Sequence, residues 1–353
     1  MIRPRQHLTM LERDVQNFNS RDDWLRLDMN EYVPNVNKEL YDELLKRITP
    51  ELISTYPLVN DAYKSLAEYL EVAENNLVLT SGSDGVIFSV LQAFCDPGDK
   101  IAYITPTYGM YEIYARMLNL DIVEVNYSSN LSLDLEKIKS VISPELKVFL
   151  FANPNGVFGN SLSREFVEEI VKKANKTGTI ILIDEVYSDF VDGGVSDFLN
   201  LCLEYDNLVL ARSFSKSYGA AGIRLGYSIS CEKTRKYIIS VRRNVEINSI
   251  AIELLKVWTK HREYMREALQ KIVFSRHYFY ELLKSKGFDV VEGKCNFLLL
   301  KVPDFAFYHY LQANKIAVKR VEYCNQKYLR ITIGTIEYMK HFENVLNCFG
   351  ENK

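Results

Sequence analysis

The stretch Ser163-Arg-Glu-Phe-Val-Glu-Glu-Ile-Val-Lys-Lys-Ala-Asn-Lys-Thr-Gly178-Thr-Ile-Ile-Leu-Ile-Asp184-Glu-Val-Tyr187 decides the fold class. Phe166, Val167, Ile170, Val171 and Ala174 recur on one face at helical spacing, with Ser163 placed to cap the start and Gly178 to follow the end. The next segment, Thr179–Ile183, is apolar and rich in isoleucine and delivers Asp184 at its carboxyl end, as a strand would. A helix feeding directly into such a strand is half of a β-α-β unit. Leu77–Thr80, Ile101–Ile104, Val148–Ala152, Leu208–Ala211 and Leu225–Ile229 repeat the strand signal. An α/β fold with a mostly parallel sheet is expected.

Beyond about residue 230 the texture changes to long helical stretches, predicted over Glu232–Lys256 and Arg262–Lys284. A smaller α+β piece follows, with strands expected at Asn296–Lys301, Ile316–Val318 and Tyr328–Ile331. The spacing predicts a large domain over residues 30–250 and a small one built from 1–29 with 251–353. No linker or repeat marks the boundary.

Composition excludes several classes. The chain has 353 residues, 47% hydrophobic and 25% charged, which is globular rather than disordered. Forty-three Lys and Arg against 46 Asp and Glu leave a net charge of −3 with no basic block, so nucleic acid is not an expected partner. Apolar runs have strand length, far short of the ~20 residues of a membrane span. The opening residues lack the apolar core of a secretion signal. Cys95, Cys202, Cys231, Cys295, Cys324 and Cys348 are dispersed without a Cys-x-x-Cys pair, and the five histidines form no His-x-x-x-His pair. A cytoplasmic protein with free thiols and no metal centre is expected.

Ligands of open parallel sheets bind where strands end and helices begin. Five polar loops sit there: Thr80-Ser-Gly-Ser-Asp-Gly, Thr105-Pro-Thr-Tyr-Gly, Asn153-Pro-Asn-Gly, Asp184-Glu-Val-Tyr and Ser213-Phe-Ser-Lys-Ser-Tyr-Gly. Lys216 stands among small residues, as an imine-forming amine requires, and Arg224 follows eight residues on to hold an anion. A solvated surface lysine is the alternative reading. Ser81-Gly-Ser-Asp-Gly opens an apolar helix over Val86–Phe94 whose free amides suit a phosphate, the alternative being a plain cap at Ser83 or Asp84. Asp184 at a dry strand mouth needs a cation, such as a protonated ring nitrogen, unless it merely caps. Neither G-x-G-x-x-G nor G-x-x-x-x-G-K-[ST] occurs.

In order along the chain, Leu27-Asp-Met-Asn30-Glu31, Tyr56-Pro57, Gly82-Ser83-Asp84, Pro106-Thr-Tyr108-Gly-Met-Tyr111, Asp184-Glu-Val-Tyr187, Ser213-x-x-Lys216 and Leu329-Arg330-Ile-Thr-Ile-Gly334-Thr335 resemble the fold-type-I pyridoxal-phosphate aminotransferases. Within these the chain is most similar to the histidinol-phosphate aminotransferase branch, which also holds threonine-phosphate decarboxylases. The resemblance implies a seven-stranded, mostly parallel sheet between helices with a smaller α+β domain. It implies pyridoxal 5'-phosphate attached to Lys216, which then moves the substrate proton, and Asp184 keeping the ring nitrogen protonated. Tyr108 would stack on the ring and Tyr187 would bond its hydroxyl, joined by Asn155. Ser83, Asp84, Ser213, Ser215 and Arg224 would hold the phosphate, with Tyr56 reaching the site of a second subunit in a homodimer. Arg330, Lys319, Arg320 and Asn30 would contact substrate.

Three departures stand out. Where the family reads Asn-Pro-Asn-Asn-Pro-Thr-Gly, this chain has Asn153-Pro154-Asn155-Gly156-Val157-Phe158-Gly159, so the usual second cofactor asparagine falls on Gly156. The usual Val-Arg of the small domain appears as Val318-Lys319-Arg320, which keeps charge and loses the fork unless Arg320 takes over. Arg242-Arg243-Asn244 also stands where relatives tend to have apolar and proline residues, and is read as a surface pair, an extra anion contact being the alternative. The expected activity is transfer of an amino group from glutamate to a small phosphorylated carbonyl compound or amino-alcohol phosphate, histidinol-phosphate-like or smaller, such as dihydroxyacetone phosphate or serinol phosphate. Decarboxylation of a phosphorylated hydroxy-amino acid is the alternative, and a non-catalytic ligand-binding role a second.

Overall fold

The structure, a computed structural model, describes residues 3–9, 11, 23–31, 38–191 and 198–351. The first strand, β1 (Leu25–Leu27), belongs to the smaller of two sheets. The larger sheet takes the next seven: β2 (Leu77–Thr80), β3 (Lys100–Thr105), β4 (Asp121–Asn126), β5 (Leu146–Ala152), β6 (Ile180–Asp184), β7 (Leu208–Ser213) and β8 (Gly226–Ser230). Their order is β2-β8-β7-β6-β5-β3-β4, and only β8 runs against its neighbours. The reason is local: Phe214–Leu225 joins β7 to β8 without the helical crossover a parallel pair needs.

Within β6, Ile181 and Ile183 pack into one core and Leu182 into another, so both faces of the sheet are covered by helices. That double burial is why the strands read as unbroken apolar runs. Ser163 caps the helix Arg164–Thr177 by accepting from the Phe166 amide, and Gly178 ends it at φ 76°. The edge strand β4 was not among the expected strands because Asp121-Ile-Val-Glu-Val-Asn carries charges at Asp121 and Glu124 and a polar Asn126 in place of an apolar run.

The predicted helix Glu232–Lys256 is two helices, Glu232–Val241 and Ser249–Lys260. The break has identifiable anchors. Arg242 donates to the Tyr63 hydroxyl (3.2 Å) and the Leu79 carbonyl (3.1 Å), Glu246 accepts from the Ser81 amide (3.0 Å), and Asn248 caps the second helix. Arg242 is therefore not the surface group expected of it.

The smaller sheet adds β9 (Val290–Glu292), β10 (Phe297–Val302), β11 (Ile316–Tyr323) and β12 (Gln326–Thr332), in the order β1-β11-β12-β10-β9. Residue 250, where the domain boundary was expected, falls inside the helix Ser249–Lys260, whose Ile252, Leu255 and Trp258 pack into the first core. The N-terminal share of the expected small domain lies partly outside the described residues. Among the described residues no helix is long and apolar enough to cross a membrane.

Candidate active site

Because β8 is the one reversed strand, β2, β3, β5, β6 and β7 all end at the same edge, and the five polar loops converge there. At β6, Asp184 is buried, accepting at Oδ2 from the Tyr111 hydroxyl (2.9 Å) and at Oδ1 from the Val186 amide (3.2 Å). Burial pushes its carboxyl up to about 6 against the pull of these two donors. Tyr111 carried no assigned role in the sequence reading. Its spacing of three from Tyr108 on a helix start was the available signal.

Lys216 is part-buried near Arg330, with Nζ donating to the Met29 carbonyl at 2.7 Å. Burial first, then the Arg330 charge, lowers its amine to about 8. The Ser213 hydroxyl donates to Ser215 Oγ (3.0 Å) and accepts from the Ser215 amide (3.2 Å). Arg224, at φ 58°, reaches Ser215 Oγ (3.3 Å) and Asp84 Oδ2 (3.0 Å).

The helix Ser83–Phe94 starts at Gly82, φ 78°, with no side chain capping it, so neither Ser83 nor Asp84 is the cap of the alternative reading. A Cβ on Gly82 would lie 3.0 Å from Arg224 Nη2, and one on Gly226 only 2.4 Å from the Gly82 carbonyl carbon. These glycines let β8, Arg224 and the helix start crowd into one cradle. Uncapped first-turn amides, two serine hydroxyls and a guanidinium form an anion site.

Tyr108 stands half exposed at the mouth, its ring edge-on to Tyr111 at 6.1 Å. Tyr187 is buried, and its hydroxyl accepts from Asn30 Nδ2 at 2.9 Å. Asn155 is differently engaged than expected. Its Oδ1 accepts from the Val157 (2.8 Å) and Phe158 (2.9 Å) amides and its Nδ2 donates to the Pro106 carbonyl (3.1 Å), which commits the side chain to the loop. Gly156 has no side chain to offer, and a Cβ there would lie 3.0 Å from the Tyr187 ring.

Arg330 donates from Nη1 to the Gly156 carbonyl (2.8 Å) and from Nη2 to that of Asp28 (3.1 Å), leaving Nε without a partner. Lys319 pairs with Arg330 across the ladder, whereas Arg320 points to the other face and lies over the Phe305 (5.3 Å) and Tyr308 (4.9 Å) rings. Strand alternation thus corrects the expectation that Arg320 shares the site. Tyr56 is 84% exposed and lies beyond this cradle of its own chain. Glu246, which holds the Ser81 amide, had no signal in the sequence.

These residues fit pyridoxal phosphate. The cradle suits a phosphate, the part-buried Lys216 is an amine held down to about 8, and Asp184 is a buried carboxyl with no cationic partner among the described residues, as a protonated ring nitrogen would require.

Comparison with known proteins gives the same result. The family described as Aminotransferase class I and II matches residues 22–346. The histidinol-phosphate aminotransferase of Brachyspira hyodysenteriae is 31% identical over 337 residues, 90% of each chain. That of Clostridium novyi is 28% identical over 343 residues, 93% of this chain and 92% of its own. The crystal structure of the Clostridium acetobutylicum histidinol-phosphate aminotransferase superposes with a TM-score of 0.83 at 25% identity, covering 93% of this chain and all of that one. The Sinorhizobium meliloti enzyme in complex with pyridoxal-5'-phosphate shares the fold at a TM-score of 0.80 and 21% identity, over 90% of this chain and 88% of that one. The chain belongs to the class I and II aminotransferases, as a fold-type-I, pyridoxal-phosphate-dependent enzyme of the histidinol-phosphate aminotransferase kind.

Proposed function

We propose that this aminotransferase moves an amino group from glutamate to a small phosphorylated carbonyl compound or amino-alcohol phosphate. One observation carries the reading: Arg330 and Lys319 stand opposite one another on neighbouring strands, so one sheet face presents two cations. A planar guanidinium suits a carboxylate, and an ammonium, as a point charge, suits a phosphate monoester. The relatives named histidinol-phosphate aminotransferases support a phosphorylated substrate.

Bound pyridoxal phosphate supplies an electron sink for the charge left when the substrate loses its α-proton. Lys216 Nζ would hold the cofactor and, as an amine placed beside the substrate carbon, could accept and return that proton. Asp184 would keep the ring nitrogen protonated, Tyr187 would donate to the ring hydroxyl, and Tyr108 would cover the ring. The Ser83 and Asp84 amides with Ser213, Ser215 and Arg224 would bind the phosphate. Asn155 acts at one remove, by shaping the loop.

A homodimer belongs to this reading. Ile53, Tyr56, Leu58 and Val245 are exposed, and a cleft of about 420 Å³ lined by Leu52, Ile53, Pro57, Val245 and Ile247 supports a second copy seated here, bringing its Tyr56 to the phosphate. The working division into lobes over 30–250 and over 1–29 with 251–353 is part of the proposal, as is a reducing cytoplasm, which the free thiols suit.

Glutamate added to the loaded protein should bleach the visible band of the bound cofactor, and dihydroxyacetone phosphate or another phosphorylated carbonyl compound should restore it. No change with any amino donor would refute transamination, and carbon dioxide release from phosphoserine or phosphothreonine would assign decarboxylation instead.

A further inference from the structure

Asn30, Tyr187 and Thr332 form a hydrogen-bonded chain with a consistent direction. Thr332 Oγ1 accepts from the Asn30 backbone amide (3.0 Å) and donates its single proton to Asn30 Oδ1 (3.2 Å). With Oδ1 turned to Thr332, the Asn30 amide nitrogen faces Tyr187 and donates to the phenolic oxygen at 2.9 Å. The backbone is held as well, at φ 52°, by Asn296 Nδ2 donating to the Asn30 carbonyl (3.2 Å). All three side chains are buried.

The consequence lies at the phenol. Its oxygen is occupied as an acceptor on the Asn30 side, so its own proton is free to be given in another direction. Across the ring stands Gly156, where the place of a Cβ is 3.0 Å from Tyr187 Cε2 and 3.6 Å from its hydroxyl oxygen. No second amide donor can come from that position, and Asn155 is committed to the loop backbone.

We propose that Asn30 is a positioning residue for the cofactor rather than a substrate contact: with Thr332 it aims the Tyr187 proton at the cofactor's ring hydroxyl, making Tyr187 the one directed donor there among the described residues, in a chain that lacks the family's asparagine at Gly156. The proposal rests on the reading of this site as the pyridoxal-phosphate site. Because Thr332 lies two residues beyond Arg330 on β12, the strand that would grip the substrate carboxylate also sets this donor.

The test uses the loaded full-length protein and the pH midpoint at which the cofactor's visible band changes, which reads the proton on the nitrogen joining it to Lys216. A donor at the ring oxygen stabilises the deprotonated linkage, so losing the donor raises the midpoint. Tyr187→Phe should raise it by about one unit, and Asn30→Gly, which tolerates the positive φ, by about half a unit or more. In the Tyr187→Phe background Asn30→Gly should add nothing, a coupling that a purely structural role for Asn30 would not produce. Thr332→Val, nearly isosteric, should move the midpoint in the same direction and carries the test should Asn30→Gly fold poorly. Arg330, Cys295 and Asp184 are the ionisable groups acting on the phenol, and all three stay unchanged in every variant. An unmoved midpoint in Asn30→Gly or in a folded Thr332→Val, or equal Asn30→Gly shifts in both backgrounds, overturns the proposal. A chain that takes up no visible cofactor band at all overturns instead the reading of the site on which it rests.

Discussion

Lys319 lies directly opposite Arg330 in the antiparallel ladder of β11 and β12, so the two cationic side chains leave the same face of the smaller sheet. Arg320, one residue on, leaves the other. A single register therefore decides which of two adjacent cations can meet a substrate, and Arg330 brings that face to Lys216 and Tyr187.

Kinetics of two alanine variants check this division. Lys319→Ala should raise KM for the phosphorylated substrate about tenfold, equivalent to about 1.4 kcal/mol, and leave the reaction with the amino donor nearly unchanged. Arg320→Ala should leave both half-reactions as they are, and cost only about 0.5–1 kcal/mol of stability from its contact with Phe305 and Tyr308.

The rate of cofactor attachment should depend on the protonation of Lys216. Its amine is held down to about 8, chiefly by burial, so the neutral nucleophile becomes the majority above that pH rather than above the ~10.4 of a free lysine. Attachment followed by absorbance should accelerate through about pH 8 and then level off. Lys216→Ala should abolish attachment, read as loss of borohydride-fixed label on the peptide that carries it.

Asp184 should cost stability in the cofactor-free protein. Its folded pKa, about 6, lies above the 3.8 of an ordinary aspartate, so between these values the unfolded chain has released the proton and the folded one has not. Stability therefore falls as pH rises through that window, and the full penalty, roughly 2–3 kcal/mol, stands above it. Asp184→Asn should raise the melting temperature of the cofactor-free protein at pH 7, with the gain vanishing below about pH 4. Transamination should be lost. A lower melting temperature at pH 7 would contradict the assignment of Asp184 as an unpaired buried carboxyl.

Gly159 and Gly178 offer a comparison at nearly equal φ. Their φ angles are 80° and 76°, yet a Cβ on Gly159 would stand 2.6 Å from the Gly293 Cα, and one on Gly178 would meet nothing within 4 Å. Gly178→Ala should cost about 1 kcal/mol in denaturant unfolding. Gly159→Ala should cost at least about 2–3 kcal/mol, because the Lys294 amide bond to the Gly159 carbonyl (2.9 Å) must also shift.

The amino-acid order by itself determined the sheet and the edge on which the site lies. Strands buried on both faces must be apolar throughout, as Ile181 to Ile183 are, and helices packed on them must carry one apolar stripe, as Phe166 to Ala174 do. Those are local patterns, legible without coordinates, and so was the row of polar loops carrying Asp184, Lys216 and Arg224. The break at Arg242–Asn248 was not legible, because it is made by partners at Tyr63, Leu79 and Ser81, far away in sequence. Nor was the division between Lys319 and Arg320, which only the register of β11 on β12 settles, since a shift of one residue exchanges the faces. Asn155 and Asn30 likewise took their parts from what packed against them: an asparagine side chain both donates and accepts, and which neighbour it serves is decided by the tertiary fold alone.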